Sequence, residues 1–234
     1  MNETEEIAKA IQETAKLGEK GLETAQKIGG FFAKVFKEPI YEISGLITDK
    51  LRFVRWKRLV NMSEEVNKIL SDRGVSETKA VPPKLALPIF EDSSLEDDQN
   101  IQHLWNHLLA NAMDPGFNDE IRYGFIDMIK NITGTEARLL ALFYNTLQQE
   151  NKLTPLASIH QYSIDKEQLI GLLKLTPDQY SIAANNLMRM QLIGPAVIKA
   201  SSISIGKESM TIFKGIDVVT LTPLGVKFVE ACIK

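Results

Sequence analysis

From Ile40 to Phe143, apolar side chains recur three and four residues apart, and proline and glycine mark the breaks; α-helices bury such a pattern on one face. Pro39, following Glu38, suits the first turn of a long amphipathic helix predicted through about Ser71. Its apolar series runs Ile40, Ile43, Leu46, Ile47, Leu51, Val54, Leu59, Met62, Val66, Ile69 and Leu70, and Gly74 is placed to close it. A loop with Pro82, Pro83 and Pro88 leads into shorter helices predicted over 84–92, 95–113, 118–131 and 135–150. Asp114-Pro115-Gly116 and Thr133-Gly134-Thr135 separate the last three. Leu104, Trp105, Leu108, Leu109, Met113, Phe125, Ile129, Leu139, Leu142 and Phe143 are core material for a helical bundle.

Ahead of this bundle, residues 3–28 read as an amphipathic helix with a narrow stripe of Ile7, Ile11, Leu17, Leu22, Ala25 and Ile28. Gly18 and Gly21 each cost it about 1 kcal/mol against alanine, so it needs a surface to lie on. Gly29-Gly30 ends it.

The last eighty residues change character. Asp165–Leu173 reads as a helix, and Thr176-Pro177-Asp178 starts another that runs to about Met190 and stops at Gly194-Pro195. Residues 196–205 and 210–221 are rich in β-branched side chains, with Gly206-Lys207-Glu208-Ser209 between them, which predicts a hairpin. Thr222-Pro223 then caps a final helix that buries Leu224, Phe228, Val229 and Ile233. Helix, turn, helix, hairpin and helix in this order predict a winged-helix-like α+β domain. The expected organisation is an N-terminal helix and linker over 1–36, a helical domain over 37–150 and the winged-helix-like domain over 151–234.

Charge and cysteine content narrow the function classes. The net charge of −3 supplies no global basic field for nucleic acid. A single cysteine, Cys232, allows no disulfide within the chain, which suits a reducing compartment. The N-terminal MNETEEIAKAIQETAK lacks the basic and apolar regions of a signal peptide, and no stretch approaches ~18 uninterrupted apolar residues. The expected location is cytoplasmic, with peripheral attachment at the inner membrane as a variant.

Signatures of chemistry are sparse. G-x-S-x-G, the Walker A loop, G-x-G-x-x-G and C-x-x-C do not occur, so no enzyme activity and no cofactor are expected. His103 and His107 are four apart on a predicted helix and share a face, with Asp98 as a third ligand for a metal. Glutamate does not follow the first histidine, so the H-E-x-x-H signature is missing, and two half-exposed imidazoles are the simpler reading. Cys232 reads as a buried thiol in the terminal helix.

Two surfaces remain. Segment 31–58 carries Lys34, Lys37, Lys50, Arg52, Arg55, Lys57 and Arg58, interleaved with Phe31, Phe32, Phe36, Tyr41, Phe53 and Trp56. Such a stretch suits an anionic membrane surface, and equally a bundle helix with a solvated basic face. In the winged-helix-like domain the second helix reads DQYSIAANNLMRM, with Arg189 as its one cation. Gln179, Asn185 and Asn186 have the chemistry to read adenine edges, with Lys207 on the wing. Residues 154–234 hold eight basic and six acidic side chains, so a protein contact or self-association is favoured over DNA.

The blocks Glu38-Pro39, Gly45-Leu46, Asp49, Leu51-Arg52, Arg55-Trp56-Lys57-Arg58, Pro82-Pro83-Lys84, Leu95-Glu96-Asp97-Asp98 and Leu104-Trp105-Asn106-His107-Leu108-Leu109-Ala110-Asn111-Ala112-Met113 follow one another in order. This stretch, Lys37 to about Asp114, resembles the abortive infection alpha family, a bacterial domain of unknown function. The resemblance implies a role in anti-phage defence and brings no catalytic residues with it. Physically, Glu96, Asp97 and Asp98 read as a helix N-terminus with Trp105 on its buried face. Arg52 and Arg55 are expected to reach those acids across the bundle in a structural ion network. The expectation is therefore a non-enzymatic macromolecule-binding protein of phage defence. Its rivals are a membrane-surface effector using 31–58, a DNA-binding regulator, and a weaker metal-dependent hydrolase or nuclease.

Overall fold

A computed structural model describes residues 50–149, 164–196 and 218–233. The expected N-terminal helix 3–28, the start of the long helix at Pro39, the basic–aromatic residues before Lys50, and the hairpin tip with Lys207 lie outside these residues. The described chain is mainly helical with one small antiparallel sheet, and it divides into two compact units, Met1–Lys130 and Asn131–Lys234.

The first unit holds α1 (Lys50–Asp72), α2 (Pro83–Leu95), α3 (Gln99–Met113) and α4 (Gly124–Lys130). Gly74, at φ 73°, takes the left-handed turn that ends α1, a conformation favouring glycine. Trp56, Val60, Met62, Val66 and Leu70 of α1 are buried with Ile89 and Phe90 of α2 and Ile101, Leu104, Trp105, Leu108 and Leu109 of α3. Trp105 is among the largest fully buried side chains, and such a ring dominates the burial energy of a small core. Phe125, Ile126 and Ile129 bring α4 onto α2 and α3, and Lys130 pairs with Asp92 at 3.2 Å. Helix α4 is shorter than the predicted 118–131. Asn118, Asp119 and Glu120 are exposed and have no apolar side chain to bury, so the chain stays irregular until Gly124.

The second unit holds α5 (Gly134–Gln149), β1 (Ile164–Asp165), α6 (Lys166–Leu173), α7 (Pro177–Arg189), β2 (Ile193–Pro195), β3 (Val218–Leu221) and α8 (Pro223–Cys232). Helix α5, grouped by sequence with the preceding helices, packs on α6, α7 and α8 through Ala137, Leu139, Leu140, Phe143 and Tyr144. The strands lie in the order β1-β3-β2, all antiparallel, with Ile164 opposite Val219 and Ile193 opposite Leu221. Gly194-Pro195, expected only to stop the preceding helix, lies within β2. An edge strand tolerates proline, and Pro195 faces Val219 there without a ladder hydrogen bond of its own to donate. Central strand β3 is buried throughout.

Local signals set the helix starts. Thr176 and Gln179 form a reciprocal capping box at α7, with Pro177 in the first turn. Thr222 caps α8 by accepting from the Gly225 amide at 2.9 Å. Among the described residues, no helix is long and apolar enough to cross a membrane.

Candidate functional site

In the first unit two of the resembling blocks, 55–58 and 95–98, meet at the connection from α2 to α3. Arg55 Nε donates to Ser94 Oγ at 2.9 Å, and Arg58 Nη1 donates to the carbonyls of Ser94 at 3.3 Å and Leu95 at 2.8 Å. The arginines thus serve the C-terminal end of α2, where carbonyls lack helical partners and the dipole favours a cation. For Arg55, Glu96 and Asp98 this replaces the expected ion network, because those two acids bond to backbone amides, while the Arg52 side chain lies outside the described residues. Glu96 Oε1 accepts from the amides of Asp97 at 2.9 Å and Asp98 at 2.8 Å. Asp98 Oδ1 caps α3, accepting from Asn100 N at 2.7 Å and Ile101 N at 3.3 Å. Gln102 closes the turn by donating to Ser93 O at 2.7 Å and Glu96 O at 2.9 Å. Asp97 is exposed, Trp56 and Trp105 are buried, Lys57 is exposed, and Arg52 belongs to the first turn of α1.

Beside this turn α1 and α3 leave an open polar cleft of about 530 Å³, lined by Glu64, Glu65, Glu96, Asp97, Arg58 and His103 among others. His103 is held below its usual pKa because surrounding protein desolvates its charged form even though the residue as a whole is exposed, and the charge of Glu65 pulls the other way. Its ring lies 4.2 Å from that of His107, centroid to centroid, tilted by 50°. The metal set of His103, His107 and Asp98 does not assemble: the Asp98 carboxylate is bonded to the start of α3, and among the described residues no three histidine, cysteine or acidic side chains gather as a metal site. Cys232 is buried, and burial pushes its thiol well up, which keeps it protonated.

In the second unit the polar residues of α7 are bonded into the fold. Asn186 Nδ2 donates to Glu136 Oε1 at 2.8 Å and to Asn131 O at 3.0 Å. Glu136 is buried at the first turn of α5, where Oε2 accepts from Thr133 N at 2.7 Å and from the Thr133 hydroxyl. Arg189 donates through Nη2 and Nε to Asn186 Oδ1, at 2.8 and 3.2 Å. Asn185 Nδ2 donates back to Ser181 O at 2.8 Å, and Gln179 Oε1 accepts from Thr176 N at 2.9 Å.

The outward face of α7 also carries a residue that sequence reasoning missed. Ile182 is 71% exposed, whereas Tyr180, Ala183, Ala184 and Leu187 on the opposite side are buried. The helical register makes this legible: the buried positions are three or four residues apart, and Ile182 falls off their stripe.

A family model described as abortive infection alpha matches residues 55–232. No curated protein and no solved structure matches the chain. Since that match spans well over half of the sequence, from Arg55 in α1 to the last turn of α8, the chain belongs to the abortive infection alpha family.

Proposed function

We propose that this protein works in anti-phage defence as a non-enzymatic binding protein, and that its second unit is a winged-helix module contacting another protein through the outer face of α7. The family supports the defence context. The order α5, β1, α6, α7, β2, β3, with β3 central in the sheet, supports the winged-helix reading.

The observation that carries the mode of action is the outer face of α7. A DNA-reading helix needs amides facing base edges and cations beside phosphates. Here Gln179, Asn185 and Asn186 are engaged within the fold, α7 has one cation, and an exposed isoleucine occupies the centre of the face. An apolar centre with a polar rim suits a protein surface. The membrane reading is weakened in the same way, since Arg55 and Arg58 bond to α2 and Trp56 is buried.

The test is phage challenge of cells carrying the wild-type chain or Ile182→Glu. Wild type is expected to reduce plaque formation, and the variant to lose that protection while retaining its circular dichroism spectrum and melting temperature. Full protection by the variant contradicts contact through this face. Protection that depends instead on Arg189 and accompanies salt-sensitive DNA binding would favour the regulator reading.

A further inference from the structure

We infer that the outer face of α7 pairs, antiparallel, with the same face of a second copy of this chain. This rests on the protein-contact reading above and names the occupant of the face. Asp178, Ile182, Asn185 and Arg189 are all exposed, and they are spaced four, three and four residues apart. At about 100° per residue, these four side chains fall within an arc of about 60°. The buried stripe of Tyr180, Ala183, Ala184 and Leu187 faces the other way.

A four–three–four spacing reads the same in both directions, which is the requirement for a two-fold contact in which residue i meets j and j meets i. A two-fold axis crossing α7 between the levels of Ala183 and Ala184 sets Asp178 opposite Arg189 of the second copy, and Arg189 opposite Asp178. These residues are three turns apart, roughly 16 Å, so both ion pairs form together. Ile182 then lies about 2 Å of helix rise from the axis, so the two Ile182 side chains meet and each covers apolar surface of the other. A parallel alignment sets acid against acid and cation against cation, so charge selects the antiparallel direction. Arg189 is already steadied for this by its two bonds to Asn186 Oδ1.

Asp178 near the start of α7 and Arg189 at its end also complement the helix dipole, but that effect gives no reason for an isoleucine 71% exposed between them. One helix face per copy buries less than the ~1,200–2,000 Å² of a standard interface, so the dimer is expected to be weak and concentration-dependent.

Sedimentation equilibrium of the full chain over a concentration series tests this, using wild type, Asp178→Arg, Arg189→Asp and the double exchange. Wild type is expected to dimerise. Each single reversal creates two like-charge pairs and is expected to weaken dimerisation about tenfold, and the double exchange restores the pairs in reverse and recovers it. Because the double variant carries both changes, its recovery excludes misfolding as the cause of the single losses. A wild-type chain that stays monomeric overturns the inference, as does a dimer indifferent to both single reversals or not restored by the exchange. A monomer in which Ile182→Glu still abolishes protection ends self-pairing but leaves the face to a different protein. A charge-dependent dimer in a strain where Ile182→Glu protects fully leaves the pairing intact and removes its proposed role.

Discussion

Asn186 of α7 donates its side-chain amide to the buried carboxylate of Glu136 at the start of α5, 2.8 Å away and fifty residues back along the chain. The same carboxylate accepts from Thr133, so one acid joins a helix cap to the packing of a second helix. Asn186→Ala leaves Glu136 short of a donor and is expected to cost about 1–3 kcal/mol in urea unfolding, the range for disturbing a buried hydrogen-bonded group. Adding Glu136→Ala should then cost less than the sum of the two single changes, because the partners share the loss. Strict additivity in that double-mutant cycle would remove the coupling.

Glu96 and Arg58 give a second prediction, at the turn between α2 and α3. Glu96 Oε1 accepts two backbone amides, whereas Arg58 bonds to carbonyls. Glu96→Gln keeps an acceptor and is expected to be mild. Glu96→Lys removes it and should destabilise by about 1–2 kcal/mol, the scale of losing a cap. Arg58→Ala is expected to cost about 1 kcal/mol by thermal denaturation, through the exposed carbonyl ends of α2. The expected ion network would instead show strong coupling between Glu96 and Arg55, and none is predicted here because Arg55 bonds to Ser94.

Gly225 sits where α8 passes over the backbone of Leu192. A Cβ there would lie 1.9 Å from Leu192 O and 2.8 Å from Leu192 C, and neither backbone atom can move aside cheaply. Thr222 holds the approach, its amide donating to Leu192 O at 3.0 Å and its hydroxyl to Gln191 O. Gly225→Ala is therefore expected to cost about 2–3 kcal/mol, as overpacking of a tight site does. Unchanged urea unfolding would show that this approach carries no constraint.

His103 supplies a pH prediction. Its folded-state pKa is lowered, so on acidification the unfolded chain takes up this proton first. The stabilising contribution of neutral His103 is present above its unfolded pKa and declines as pH falls through that value towards the folded one. In a histidine NMR titration, His103 should titrate below 6.5, and Glu65→Gln should lower it further because the Glu65 charge opposes the desolvation. A value that rises with Glu65→Gln would contradict the assignment of causes.

Much of this fold is legible in sequence wherever the signal is local. Asp98, Thr176 and Thr222 each cap a helix from the position that hydroxyl or carboxylate chemistry predicts. The three-and-four spacing of Leu104, Trp105, Leu108 and Leu109 gives their shared burial directly. Long-range partners are not legible in this way. The bonds from Arg55 and Arg58 to the end of α2, and from Asn186 to Glu136, join segments whose approach is fixed by packing and not by sequence spacing. Strand β1 has only two residues, too few to show alternation, and β2 ends on a glycine–proline pair that reads as a stop unless the strand is known to be at an edge. Within the candidate surface, the outward polar residues of α7 were evident, while their engagement in the fold was not.

The most direct test of the central claim is site-specific photo-crosslinking in infected cells, with benzoylphenylalanine placed at position 182 and, as a control, at Glu167, an exposed residue of α6. Contact through this face predicts a discrete protein adduct from position 182 that is absent from the control, and a species of twice the chain mass if the partner is a second copy. Adducts of equal yield at both positions, or an adduct at 182 that nuclease treatment removes, would contradict contact with a protein through this face.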